Sequence, residues 1–254
     1  MEIVRKLENK KIKPNLFVQV LRDLGHDTER NAKILDFGCG NGDLVRELKE
    51  SGFDTYGCDI DFEKYKDVNE LLSAGIVRKI SELDYRIPFP DHYFDFVFSD
   101  QVLEHVQNYQ TALSEISRVL KPSGVSLHIF PSRYRLIETH VYVPLGSIIQ
   151  RQWWLSIWAN LGIRNSNQKG KSAAEVTQRN YRYLTTCTNY LRKSDIRRYF
   201  RMYFTKVDFI EREYLKNTRK GIYVYKLSRI PLLAFLPALY STFRSRVVIS
   251  QKSV

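Results

Sequence analysis

Apolar positions along this chain recur with two different periods, and the switching between them outlines a fold. Leu16, Phe17, Val20, Leu21 and Leu24 fall on one helical stripe. Pro14 stands near the start of that stripe, where a helix tolerates it, and Gly25 ends the run. Short apolar runs then alternate with amphipathic ones: strand 33–37, helix 43–50, strand 54–59, helix 63–73, strands 77–81 and 94–99, helix 108–120 and strand 124–130. Such alternation predicts a parallel sheet wound on both faces. The rhythm breaks after Phe130-Pro131. A stretch from 131 to 192 precedes the next predicted helix, Ser194 to Tyr203, which leads to strand 206–211. An apolar run, Ile230 to Leu239, comes before a last strand from Arg246 to Gln251. A connection as long as 131–192 usually has structure of its own and often a function. The chain therefore divides into a helical lead-in (1–30), a ligand-binding α/β core (31–130), an inserted lid or substrate region (131–192) and a return to the same sheet (193–254).

Composition adds a charge asymmetry. The 254 residues are 43% hydrophobic and 27% charged, enough for one α/β domain with a sizeable core. Net charge is +12, but it is unevenly spread. Residues 1–130 hold 17 Lys/Arg against 22 Asp/Glu, and residues 131–254 hold 23 against 6. The first half is mildly acidic and the second strongly basic, which suits an anionic partner on the second half. Nucleic acid, anionic lipid headgroups and phosphorylated or carboxylated glycans all qualify, as does a solvated basic face with no partner. Cys39, Cys58 and Cys187 show neither metal spacing nor a pairing pattern, which fits a reducing cytoplasm. Met1 to Lys6 lacks the apolar stretch of a signal peptide, and no run approaches the roughly 20 apolar residues of a membrane span. A cytoplasmic protein is expected, with peripheral attachment to the inner face of a membrane left open.

The chemistry concentrates in Ile34-Leu35-Asp36-Phe37-Gly38-Cys39-Gly40-Asn41-Gly42, a buried strand running into a glycine turn and a helix. A dinucleotide fingerprint would need a third glycine where Asp43 stands. Thr55 to Ile60 reads as a second strand ending in Asp59, at the spacing where a carboxylate accepts both hydroxyls of a ribose. Ile87-Pro88-Phe89-Pro90-Asp91, Phe94-Asp95-Phe96-Val97, Val102-Leu103-Glu104-His105-Val106 and Lys121-Pro122-Ser123-Gly124 follow in order. Together these motifs resemble the class I S-adenosylmethionine-dependent methyltransferases, small-molecule type 11 branch, over about residues 30–130. Ser123 departs from that family's usual glycine. The resemblance implies a Rossmann-like sheet of seven strands, the final one antiparallel, and S-adenosylmethionine as cofactor.

On that resemblance Asp36 helps hold the cofactor's amino-acid end, Gly38, Gly40 and Gly42 allow close approach, and Asp59 takes the ribose with Ile60 against the adenine. Asp84, with Tyr85 beside it, is placed to meet the adenine amino group, although its spacing to Pro88-Phe89 is one residue short. Ser99 and Gln101 border the cofactor after the fourth strand. His105 matches the family histidine and is either a general base or a loop-ordering group. Glu138-Thr139-His140 opens the inserted region, where a carboxylate and an imidazole can pair as an oriented base or simply order a loop. His128 lies in a strand pattern and reads as a core residue. No His/Cys/Asp/Glu cluster has metal spacing, and no metal is expected. Trp153, Trp154 and Trp158, and the run 230–239 with Arg229, Arg244 and Arg246 nearby, suit either a helical lid or an anionic membrane surface.

The expected function is methyl transfer from S-adenosylmethionine to a hydroxyl, less readily an amine, of a small molecule, glycan or lipid-linked sugar. An RNA or tRNA methyltransferase is the alternative, supported by the Arg/Tyr-rich run from Arg179 to Tyr203. A non-catalytic, partner-binding methyltransferase-like protein is the third reading.

Overall fold

The computed structural model describes residues 15–253 apart from Arg30, Lys66 and Glu82. Pro14 and the N-terminal segment Met1–Lys6 lie outside the described residues. The first helix, α1 (Leu16–Asp23), is capped by Asn15, whose side chain accepts the Phe17 amide at 2.9 Å. Strands β1 (Lys33–Phe37) and β2 (Asp54–Asp59) flank helix α2 (Asp43–Glu50). Helix α3 (Asn69–Ser73) leads into β3 (Val77–Lys79), and β4 (Phe94–Asp100) runs into a short turn at Leu103–His105. Helix α4 (Tyr109–Val119) returns the chain to β5 (Leu120–Pro131). The inserted region contributes α5 (Gln152–Asn160) and α6 (Ala173–Thr186). Helix α7 (Lys193–Phe200), β6 (Lys206–Phe209), three short helices α8 (Glu211–Lys216), α9 (Gly221–Leu227) and α10 (Leu236–Thr242), and β7 (Ser245–Gln251) complete the chain.

The seven strands form one sheet in the order β3-β2-β1-β4-β5-β7-β6. β1 to β5 pair in parallel, while β7 runs antiparallel between β5 and β6. Both expectations, seven strands and an antiparallel final one, are met. Reversal of order beside β1 leaves a crevice at the strands' carboxyl ends, the usual ligand position in such sheets.

Core residues cover both faces. Leu35, Phe37, Phe94 and Val97 pack under α4 and α7, where Leu113, Ile116, Ile196 and Phe200 are buried. On the other face Ile34, Phe96, Phe98 and Leu127 meet Phe17 and Leu21 of α1 and Leu48 of α2. His128 is fully buried in this sheet, as the pattern predicted. The inserted region has its own small core, in which Val141, Val143, Leu155, Leu184 and Tyr190 pack with Trp154 and Trp158. Trp153 instead stands 60% exposed.

Boundaries moved where local polar groups compete with regular structure. The helix expected over 63–73 forms only from Asn69, because the Asp61 carboxylate accepts the Glu63 amide at 2.8 Å and turns the chain first. The strand expected from 124 begins at Leu120, which pairs with Phe94 before a bulge absorbs the Lys-Pro-Ser-Gly turn. Ser123 there takes φ +61°, the conformation its glycine counterpart would adopt without strain. Strands expected over 77–81 and 206–211 end at Lys79 and Phe209, and the helix expected to reach Tyr203 ends at Phe200. The run 230–239 is no single element: two prolines split it into a turn at Pro231–Leu233 and the start of α10.

Candidate functional site

The crevice is built by the loop after β1. Gly38, Gly40 and Gly42 all have positive φ. At Gly38 the reason is packing as well as conformation, since a Cβ there would sit 2.4 Å from Val102 Cγ2. Gly42 stands directly before α2, and its own Cβ would meet Leu71 at 2.6 Å. The Asp59 carboxylate fastens this loop. Its Oδ2 accepts the Gly40 amide at 2.8 Å and its Oδ1 accepts the Ile60 amide at 2.7 Å. Each oxygen keeps a second lone pair, so the group can still accept two hydroxyls. Ile60 lies at the rim, 46% exposed. Tyr85, with φ +50°, is half-buried, and burial beside Cys58 and Asp59 pushes its phenol up to about 12.

Three carboxylates gather at the strand ends. Asp36 is buried and accepts no side-chain hydrogen bond among the described residues. Burial, then the nearby Asp100 and Asp59, push it up to about 8. Burial raises Asp100 as well. Such a crowd of like charges favours a cationic ligand. S-adenosylmethionine brings a sulfonium and an ammonium, and its ribose suits Asp59, so the residues present fit it. Cys39 and Cys58 are small buried fillers, and Cys39 Sγ would lie 2.7 Å from a Cβ at position 57.

The remaining expected cofactor residues are placed less directly. Asp84 is exposed on a surface turn, held low by a hydrogen bond from Ser81 and accepting the Arg86 amide at 3.4 Å. Ser99 is fully buried, and its hydroxyl meets His128 Nδ1 at 2.7 Å rather than turning toward the crevice. Gln101, with φ +55°, donates its backbone amide to Ile129 and its side chain to Asp100 at 3.3 Å.

The fold brings together two motifs that lie 33 residues apart in the chain. The rings of His105 and His140 meet edge to face, with centroids 4.9 Å apart. His105 Nδ1 donates to the Cys187 carbonyl at 2.8 Å. His140 Nδ1 donates to Glu138 Oε1 at 2.6 Å. Glu138 Oε2 accepts the His140 and Val141 amides, and Tyr190 donates its hydroxyl to Oε1 at 2.5 Å. Burial pushes Glu138 up, but these hydrogen bonds outweigh it and hold the carboxyl below its usual range. Burial keeps His105 low, opposed by its bond to Cys187.

Glu104, Asp100, Tyr183 and Tyr190 were not among the residues the sequence singled out. Glu104 is buried with no other described residue hydrogen-bonded to its carboxylate, and burial pushes it up to about 7. A glutamate inside the apolar run Val102–Val106 was the available signal. Tyr183 packs 5.4 Å from the His140 ring, and nothing in its helical pattern marked it. β4 ends at Asp100 and the Leu103–His105 turn follows it, so the imidazole cluster adjoins the strand ends that form the crevice. Beside the cluster a cavity of about 1150 Å³ opens in the inserted region, with His140, Asn165, Gln168, Gln178, Asn180 and Tyr183 in its wall.

The sequence pattern of the methyltransferase-domain family matches residues 35–127, the span from β1 into β5 that carries the glycine loop and Asp59. Residues 35–127 are thus a methyltransferase domain. It is 36% identical over 97 residues to a ubiquinone/menaquinone biosynthesis C-methyltransferase of Cupriavidus metallidurans, covering 36% of this chain and 40% of that protein. It is 33% identical over 119 residues to an uncharacterized protein of Methanocaldococcus jannaschii, 46% of this chain and 48% of that one. The chain thus spans about half or less of the length of these relatives. In fold it resembles phosphoethanolamine N-methyltransferase 2 of Haemonchus contortus, crystallised with phosphomonomethylethanolamine and S-adenosylhomocysteine. The TM-score is 0.52 at 15% identity, over 94% of this chain and 52% of that one. S-adenosylmethionine is the cofactor such a domain implies, and the crevice residues above are the ones that would hold it.

Proposed function

We propose that this methyltransferase domain methylates an oxygen of a polyhydroxylated acceptor, such as a glycan or a lipid-linked sugar. The observation that carries the reading is the imidazole pair, His105 and His140, which meet edge to face with His140 in the cavity wall. A sugar hydroxyl is a poor nucleophile until its proton is removed or its oxygen polarised, so an oxygen acceptor needs such a cluster, whereas positioning alone serves a pre-activated one. The cavity wall suits that acceptor. Asn165, Gln168, Gln178 and Asn180 offer donors and acceptors together, and the buried Asn180 Nδ2 has no partner. The family match ends at Leu127, before the residues that form this cavity, so the relatives' acceptors are no guide to this one. The test is methyl transfer from labelled cofactor to a panel of glycans, polyols and reduced quinones. An acid-stable methyl ether on a hydroxylated acceptor is expected. Transfer only to a quinone ring carbon overturns the reading.

A specific surface supports attachment to an anionic bilayer. Among the described residues no helix is long and apolar enough to cross a membrane. Around α9 and α10, however, Leu232 is 83% exposed, and Tyr223, Leu227, Ile230 and Phe235 are also exposed. Lys226, Arg229 and Arg244 lie in the same stretch of chain. Apolar side chains among cations suit an interface with anionic headgroups. Flotation with vesicles containing phosphatidylserine is expected at low salt and should fall in Leu232→Glu. Equal flotation of that variant refutes the assignment.

A further inference from the structure

We propose that Glu104, His105 and His140 form a binding site for a divalent first-row transition ion of the zinc type. The inference rests on the reading above of where the acceptor is activated, and it names what activates it.

Three observations converge. One donor atom from each of the three side chains lies within 4.8 Å of the others, and His105 Nε2 is 3.9 Å from Glu104 Oε1. Bonds of about 2.0–2.2 Å in a tetrahedral site set ligand atoms about 3.3 Å apart, so side-chain rotation alone has to take up the remainder. Next, both imidazoles are already oriented as ligands are. A carbonyl and a carboxylate only accept, so His105 Nδ1 and His140 Nδ1 each carry the proton in their bonds to Cys187 and Glu138. In the neutral ring that leaves each Nε2 with a bare lone pair. A ligating histidine almost always shows this arrangement, its far N–H given to a carboxylate or backbone carbonyl. Glu138 is itself held by Tyr190 and two amides, as such outer groups are.

The third observation is Glu104. Its side chain is 0% exposed, and no other described residue hydrogen-bonds either oxygen. Buried carboxylates in folded proteins are paired, hydrogen-bonded or bound to a cation. Glu138, equally buried, shows what the hydrogen-bonded case looks like here. Glu104 lacks those partners and faces two imidazoles instead, which is the arrangement a cation satisfies.

Two nitrogens and one carboxylate suit zinc, iron or cobalt rather than magnesium or calcium, which prefer all-oxygen sets. Three protein ligands leave a coordination position for an exchangeable oxygen. Of the three ligands His140 lines the cavity, and an acceptor hydroxyl would approach from that side. A hydroxyl bound there would release its proton to water. Its oxygen would then form the bond to the methyl carbon as the carbon–sulfur bond breaks, leaving S-adenosylhomocysteine, so one proton is released per ether formed.

Co²⁺ titration of the full chain after chelator dialysis tests the site, because four- or five-coordinate cobalt absorbs in the visible. One ion per chain is expected, displaced by Zn²⁺ and unaffected by excess Mg²⁺. Glu104→Gln preserves shape and His140→Ala lies on a separate segment; both should abolish the band, with melting temperatures recorded to show that each folds. Glu138→Gln should weaken cobalt binding about 10- to 100-fold. No band, or a band that survives both ligand variants, overturns the proposal. S-adenosylmethionine calorimetry on the same metal-free protein keeps the readings apart. Cofactor binding without a cobalt band removes the ion alone, whereas failure to bind cofactor removes the methyltransferase reading.

Discussion

The cofactor core and the inserted region share one cluster of side chains but are built on opposite terms. The core, residues 31–130, is acidic, and its candidate site residues lie in short motifs at strand ends: Asp36 in β1 with the glycine loop after it, and Asp59 as the last residue of β2. The insert belongs to the basic half, has its own small core, and lies beyond the span of the family match. Its side chains meet those of the core only across the fold, as His140 meets His105. Where a ligand is shared by many proteins, the sequence around it is patterned. Where the ligand differs from one protein to the next, function rests on contacts between distant segments.

This contrast predicts separable defects. His140→Ala should lower turnover of the acceptor by about 10²- to 10⁴-fold while S-adenosylmethionine binds as before. Loss of cofactor affinity in that variant would show that the two regions do not divide the work. Asp59→Asn should do the reverse. Losing a charged acceptor costs about 1.5–3 kcal/mol, or about 10- to 100-fold in the cofactor's Kd by calorimetry, with the Co²⁺ site intact.

Acidity sharpens the same division. Asp36 rises from 3.8 in the unfolded chain to about 8, so the folded state holds its proton across that window and the unfolded state does not. Its contribution to stability therefore falls as pH rises from about 4 to 8 and is level above. A cationic cofactor prefers the ionised form, so its affinity should climb with pH, by about tenfold per unit at most, and flatten near 8. Asp100, Asp59, Cys39 and Cys58 face this group and belong in any fit. An affinity independent of pH between 6 and 9 would contradict the assignment. The smallest effect is expected from Tyr190→Phe. It removes one hydrogen bond to Glu138, worth about 1 kcal/mol, and should slow turnover a few-fold without touching cofactor affinity.

Legibility in the sequence followed the same boundary. The parallel sheet was readable because strand, turn and helix each occupy a few consecutive residues, and its seven strands with an antiparallel last one followed from the family resemblance. Asp84 and Ser99 show the limit of spacing. The first lies on a surface turn fixed by Ser81, and the second turns inward to His128. His105 and Glu138-His140 were visible as separate motifs. Their union with Glu104 was not, since it depends on how residues 131–192 fold back over the turn after β4.

That folding back has a practical side. Near the insert's exit the Asn189 amide binds the Glu104 carbonyl at 2.6 Å, and its side chain holds the Val106 carbonyl at 3.0 Å. Two residues earlier the Cys187 carbonyl steadies His105. Domain-exchange experiments that treat 131–192 as a cassette would therefore sever fastenings on the host side. A transplant designed to keep the insert's own packing has to bring Glu104 to Gln107 along with it, because the fastenings run through that turn rather than along the junctions in the chain.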